Sequence, residues 1–154
     1  MDARPAVQNR FTALILAALG AGVIVSCAPA QTPTVAERSK QIKIKIGSKH
    51  FTATLEDNAT AGAFKTLLPM TVNMTELNGN EKYFRLSNKL PVHATNPGTI
   101  QSGDLMMYGS NALVIFYKSF PTPYDYTRLG RIKDTTGLAA AVGSGSAMVT
   151  FEVE

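Results

Sequence analysis

From residue 41 to the end of the chain, apolar residues fall into short runs punctuated by glycine, asparagine and proline. Gln41-Ile42-Lys43-Ile44-Lys45-Ile46 alternates strictly, which predicts a half-buried strand with its isoleucines inward. Gly47-Ser48-Lys49 turns the chain, and residues 50–55 return as a second strand. Residues 59–68 change period. There Ala63, Phe64, Leu67 and Leu68 share one helical face, Asp57 or Asn58 can accept the free amide protons at the start, and Pro69 stops the helix. Residues 71–77 predict a strand with Val72 and Met74 on one side. Asn78-Gly79-Asn80 is turn chemistry, and residues 81–86 follow as a short strand.

The centre of the pattern is a pair of apolar runs, 105–108 and 112–117, joined by Gly109-Ser110-Asn111. Glycine and asparagine tolerate positive φ, so this reads as a hairpin. Neither run alternates with polar residues, so both faces should be covered, as in a small closed barrel or a sandwich. Alternation sends Phe116 and Tyr117 to opposite faces, leaving at most one of them inside a barrel. Residues 88–102 carry Pro91 and Pro97 and predict a long surface loop with little regular structure, and residues 119–125 a second loop stiffened by Pro121 and Pro123. Residues 126–132 and 147–153 predict strands, 138–142 a short helix, and Gly143-Ser144-Gly145-Ser146 a turn. The domain is therefore mainly β, with about eight strands and two short helices able to plug a barrel.

Ahead of this domain the chain reads as an address. Arg4 and Arg10 precede an apolar run, 11–25, which is about fifteen residues against the roughly 20 a membrane span needs. Ile24-Val25-Ser26-Cys27 follows and resembles the lipobox of bacterial lipoproteins. That likeness implies a signal peptide over 1–26, acylation of Cys27, a polar tether over 27–40 and a barrel domain over 41–154. The protein would be exported and held in the bacterial cell envelope by lipid. The alternative is secretion after cleavage at Ala30.

Composition narrows the function classes. Hydrophobic residues make up 45% and charged residues 17%, which is the balance of a packed domain and not of a disordered one. The net charge is +4, or +3 once Asp2, Arg4 and Arg10 leave with the signal, and no basic run marks a nucleic-acid partner. Cys27 is the only cysteine, so neither an internal disulfide nor a cysteine zinc site is expected. His50 and His93 show no ligand spacing, and residues 143–146 match neither phosphate-loop pattern. No nucleophile–histidine arrangement can be proposed, and no cofactor is expected. What remains is an aromatic gathering, Tyr108, Phe116, Tyr117, Phe120, Tyr124 and Tyr126, around the hairpin and its proline-rich exit. Most of these rings would be packing, but exposed tyrosines beside prolines suit a groove for a peptide or small molecule.

The order of elements over 41–154 resembles the cyclophilin fold, an eight-stranded barrel capped by two helices. The residues that carry the likeness are Leu55-Glu-Asp-Asn-Ala-Thr-Ala-Gly-Ala-Phe64 with Leu67, the central pair 105–107 and 112–116, and Leu129-Gly130-Arg131-Ile132 before Gly137-Leu138. Cyclophilins are prolyl isomerases. The resemblance places their arginine at Arg85, in Tyr83-Phe84-Arg85, their pocket phenylalanine near Leu113 and their pocket histidine at Tyr126. Gln101-Ser102-Gly103-Asp104 comes too late to supply the glutamine-bearing turn. The chain is thus similar to small bacterial cyclophilin-like proteins that keep the barrel without the isomerase constellation. The candidate groove is Arg85, Leu113, Phe116, Tyr124 and Tyr126, in a membrane-anchored binding or accessory module. The alternatives are a weak prolyl isomerase for exported proteins and a small-molecule-binding barrel.

Overall fold

The computed structural model describes residues 34–154. Its strands are β1 (Gln41–Ile46), β2 (Lys49–Leu55), β3 (Met70–Leu77), β4 (Glu81–Arg85), β5 (Thr99–Ile100), β6 (Asp104–Tyr108), β7 (Ala112–Phe116), β8 (Phe120–Pro121), β9 (Thr127–Ile132) and β10 (Ala147–Val153). Its helices are α1 (Val35–Arg38), α2 (Ala59–Lys65) and α3 (Leu138–Val142). Eight strands close an antiparallel barrel in the order β1-β10-β3-β4-β7-β6-β9-β2. The expected central hairpin is present, with Tyr108 opposite Ala112 and Gly109 at φ 59°.

Alternation decides what fills the barrel. Ile42, Ile44 and Ile46 point inward from β1, as do Val72 and Met74 from β3, and all are buried. Two helices complete this core. Phe64 of α2 meets Phe151 edge to face at 5.6 Å, and α3 contributes Leu138 and Val142. Asn58, not Asp57, caps α2, its Oδ1 accepting the Ala61 amide proton at 2.8 Å. Asp57 instead pairs with Lys40 at 2.9 Å.

Three local expectations differ. Helix α2 closes at Lys65, short of Pro69, because the chain tightens there: Leu67 and Leu68 donate three residues back, to Phe64 and Lys65. Residues 34–40, expected as free tether, form one capped turn, α1, tied to the barrel. Lys65 donates to the Ser39 carbonyl and Leu55 to the Lys40 carbonyl. The two proline-rich loops are not wholly irregular, since β5 and β8 pair as a small ribbon and Thr95 bridges to Tyr126. The signal segment and Cys27 lie outside the described residues.

That ribbon creates a second hydrophobic cluster on the outside of the barrel. Ile100, Met106, Val114, Phe116 and Tyr126 form it, with Tyr83 and Phe120 packed against them. Strand β7 is consequently buried on both faces. Phe116 belongs to this outer cluster and its neighbour Tyr117 to the barrel interior, as alternation requires.

Candidate functional site

A groove of about 430 Å³ lies along the margin of the outer cluster. Its floor comes from the outward positions of two paired strands. On β4 these are Glu81, Tyr83 and Arg85; on β7, Ala112 and Val114. The turn between β3 and β4 forms one wall through Leu77, Asn78 and Asn80. The segment after β8, from Thr122 to Tyr124, forms another with Phe120, Pro121 and Tyr126, and Tyr108 stands at the rim. Positive φ at Asn78 and Gly79, 56° and 68°, folds the turn tightly enough to bring its side chains to the floor.

The aromatic wall is self-supporting. Tyr126 packs edge-on to Phe116 at 5.5 Å and tilted against Tyr108 at 5.6 Å, and Tyr124 meets Tyr108 at 6.3 Å. Tyr108 and Tyr124 remain 51% and 58% exposed, so apolar ring surface faces the open groove.

The charged lining is asymmetric. Arg85 is exposed and makes no ion pair among the described residues. Glu81, on the same strand face, is only 8% exposed. Burial, reinforced by the nearby Glu76 carboxylate, pushes the Glu81 carboxyl up to about 6. Beside it the Asn80 side-chain oxygen is buried without a donor among the described residues. Burial also raises the Tyr126 hydroxyl.

Immediately behind Glu81 the alternation reverses, and Lys82 points into the barrel with no exposed surface. Its ammonium binds the Glu76 carboxylate, the Gly143 carbonyl at 2.8 Å and the Gly145 carbonyl at 2.5 Å. Tyr117 donates to the same carboxylate at 2.9 Å. Burial drives the Glu76 carboxyl up, but hydrogen bonds from Lys82 and Tyr117 outweigh it and leave the group below its ordinary value. Burial and that bond push the Tyr117 hydroxyl up to about 12. This cluster is structural: it ties the turn after α3 to β3 and β4.

Of the expected site residues, the structure brings Arg85, Tyr124 and Tyr126 into one groove. Phe116 lies beneath the wall rather than on the lining. Leu113 is not at the groove: β7 turns it into the barrel, where it is fully buried, and Ala112 and Val114 take the outward positions. Glu81 and Asn80 were not anticipated. The signal for Glu81 was available, because positions 81, 83 and 85 share one face of a strand.

The family described as "Cyclophilin-like family" matches residues 44–152. No curated protein matches the chain. Among solved structures, McbB in complex with tryptophan is similar at a TM-score of 0.60 and 14% identity, over 74% of this chain. This chain spans 45% of that protein's length. The hypothetical protein AF2241 from Archaeoglobus fulgidus is similar at a TM-score of 0.52 and 18% identity, over 77% of this chain and 97% of the other. At these identities both likenesses are of fold.

Proposed function

The chain belongs to the cyclophilin-like family, and from that premise we propose that it is a non-catalytic binding module whose peptide or small-molecule occupant lies in the groove over β4 and β7. The observation that carries this reading is the half-exposed pair Tyr108 and Tyr124 lining a concave, largely apolar site. Concave sites with aromatic walls and a few convergent polar groups are where ligands bind. The reading gains support from what surrounds Arg85. Leu113 is turned away and Tyr126 is engaged with Phe116 and Tyr108, so no aromatic–histidine proline pocket stands opposite the guanidinium.

Thermal-shift screening of peptides and metabolites tests the module. A ligand at a hundred times its Kd adds about 2.7 kcal/mol of stability. At least one compound should raise the wild-type melting temperature, and Tyr124→Ala should abolish its effect. Stabilisation that survives Tyr124→Ala would place the occupant elsewhere.

The second reading is weak prolyl isomerisation. It is favoured by one observation, that Arg85 lies within an apolar groove and makes no ion pair among the described residues.

The module's address is part of the same proposal: a bacterial envelope lipoprotein anchored through Cys27, as the sequence Ile24-Val25-Ser26-Cys27 supports. No helix among the described residues is long and apolar enough to cross a membrane. Labelled palmitate should enter the wild-type chain and not Cys27→Ala. Equal labelling of the two chains, or none, would defeat the anchor.

A further inference from the structure

Glu81 is an unusual residue to find on a groove floor. It is more than nine-tenths buried, and none of the influences on its carboxyl is a hydrogen bond. Lys82, adjacent in sequence, cannot serve it. Strand alternation sends that ammonium inward, where two backbone carbonyls and Glu76 use its three protons. Arg85 is four residues along the strand, about 13 Å at strand rise. Among the described residues, the only formal charge that reaches Glu81 from nearby is Glu76, which is of like sign. The floor therefore presents a largely buried negative charge that no donor among the described residues meets, and such a charge is costly to leave unmet.

We infer that the groove takes a ligand carrying a protonated amine on an apolar, aromatic body, with the ammonium seated on Glu81. This rests on the binding-module reading and specifies its occupant. The ammonium supplies three donors and the opposite charge, and charge-assisted bonds of that type are the strong ones. The rings of Tyr83, Tyr124 and Tyr126 flank the same space and give the apolar body its contacts. A divalent cation does not fit as well, because one carboxylate supplies too few hard ligands. Arg85, at the far end of the same face, sets the polarity: the ligand's cationic end is excluded there and drawn to Glu81.

The chain contains no tryptophan, so an indole probe can be followed by its own fluorescence. Three probes of nearly one shape, titrated against the full chain at neutral pH, separate the terms: tryptamine, tryptophol and indole-3-propionate. Tryptamine should bind at least about tenfold more tightly than tryptophol, the equivalent of about 1.4 kcal/mol. Indole-3-propionate should bind least. Glu81→Gln keeps the shape of the floor and should reduce the tryptamine preference to near unity, and Glu81→Asp should keep part of it. If tryptophol and tryptamine bind equally to the wild type, or if Glu81→Gln leaves the preference intact, the amine inference is overturned while the groove still stands. If none of the three binds, the inference is overturned as well, and the thermal-shift screen then decides the module separately.

Discussion

Lys82 and Glu76 stand directly opposite each other on β4 and β3, and the lysine that holds this carboxylate has no exposed surface. A buried ammonium is tolerated only when its charge and all its protons are met. Here the Gly143 and Gly145 carbonyls complete the set. Lys82→Met should therefore cost about 3–5 kcal/mol in denaturant unfolding, since it strands a carboxylate and two carbonyls. Adding Glu76→Leu should recover part of that loss. A strictly additive double mutant would mean the two groups are not coupled.

Glu81 should have the opposite effect on stability. Its carboxyl is raised from an ordinary 4.5 to about 6, so between those values the folded chain holds more protons than the unfolded one. Stability contributed by this group is thus gained as pH falls through 6 toward 4.5, and the cost is fully present above 6. The difference is about 2 kcal/mol. Glu81→Gln should stabilise the chain at pH 7 by up to that amount and flatten the pH profile across this window. The charge that bears on the carboxyl is Glu76, itself held by Lys82 and Tyr117; Tyr126 stands near it on the groove wall, and Arg85 lies about 13 Å further along the strand. A Gln variant less stable than wild type at pH 7 would show that Glu81 has a structural partner.

Phe64→Ala should come close to unfolding the domain. The ring is fully buried and edge-on to Phe151. Such a truncation costs about 3–5 kcal/mol against a typical total of about 5–15 kcal/mol. A loss below about 1 kcal/mol would mean that α2 does not close the core.

Gly130→Ala should destabilise by about 1–3 kcal/mol although the residue's φ is unexceptional. A Cβ there would run into the Thr54 carbonyl oxygen and sit 3.0 Å from the Leu55 Cα, both backbone atoms that cannot rotate away. Gly130 lies opposite Leu55 on β2 and Leu105 on β6, so the strain falls where β9 links its neighbours in the closed barrel. Hydrogen exchange in β2 and β9 should rise first.

Prolyl isomerisation of a standard Xaa-Pro peptide should be at or near the uncatalysed rate. The barrier is about 18–20 kcal/mol, and lowering it needs donors and a ring pocket aimed together. Robust acceleration that Arg85→Ala removes would replace the binding module with an enzyme.

The barrel was legible in the sequence because its signals were local. The Ile42, Ile44, Ile46 alternation, the Gly109-Ser110-Asn111 turn and the apolar faces of α2 and α3 each follow from period and turn chemistry. What escaped depended on pairings distant in the chain. The β5–β8 ribbon joins residues about twenty apart, and each half is too short to show a period. Leu113 enters the candidate groove through the cyclophilin resemblance alone, and β7, buried on both faces, offers no alternation that would show it facing the barrel interior. Arg85 comes to the groove lining through the resemblance, Tyr126 through the resemblance and the aromatic gathering, and Tyr124 through that gathering beside the prolines. Glu81 and Lys82 were passed over because charged residues on a short strand are ordinarily solvated, and only the assembled barrel shows which of the two is enclosed.

Strand β7 is buried on both faces, with only the edges of Ala112 and Val114 reaching the groove floor. Every side chain it carries serves as a wall for one of two chambers, so a substitution anywhere along it is paid in packing on one side or the other. The loop after β8 and the turn before β4 are under no such double obligation. Recognition in this molecule can therefore be retuned cheaply at the rim, by changing turn and loop residues, while the partition between the chambers stays fixed. A designer seeking a new specificity would leave residues 112–116 alone and vary Asn78, Asn80 and the stretch from Thr122 to Tyr124.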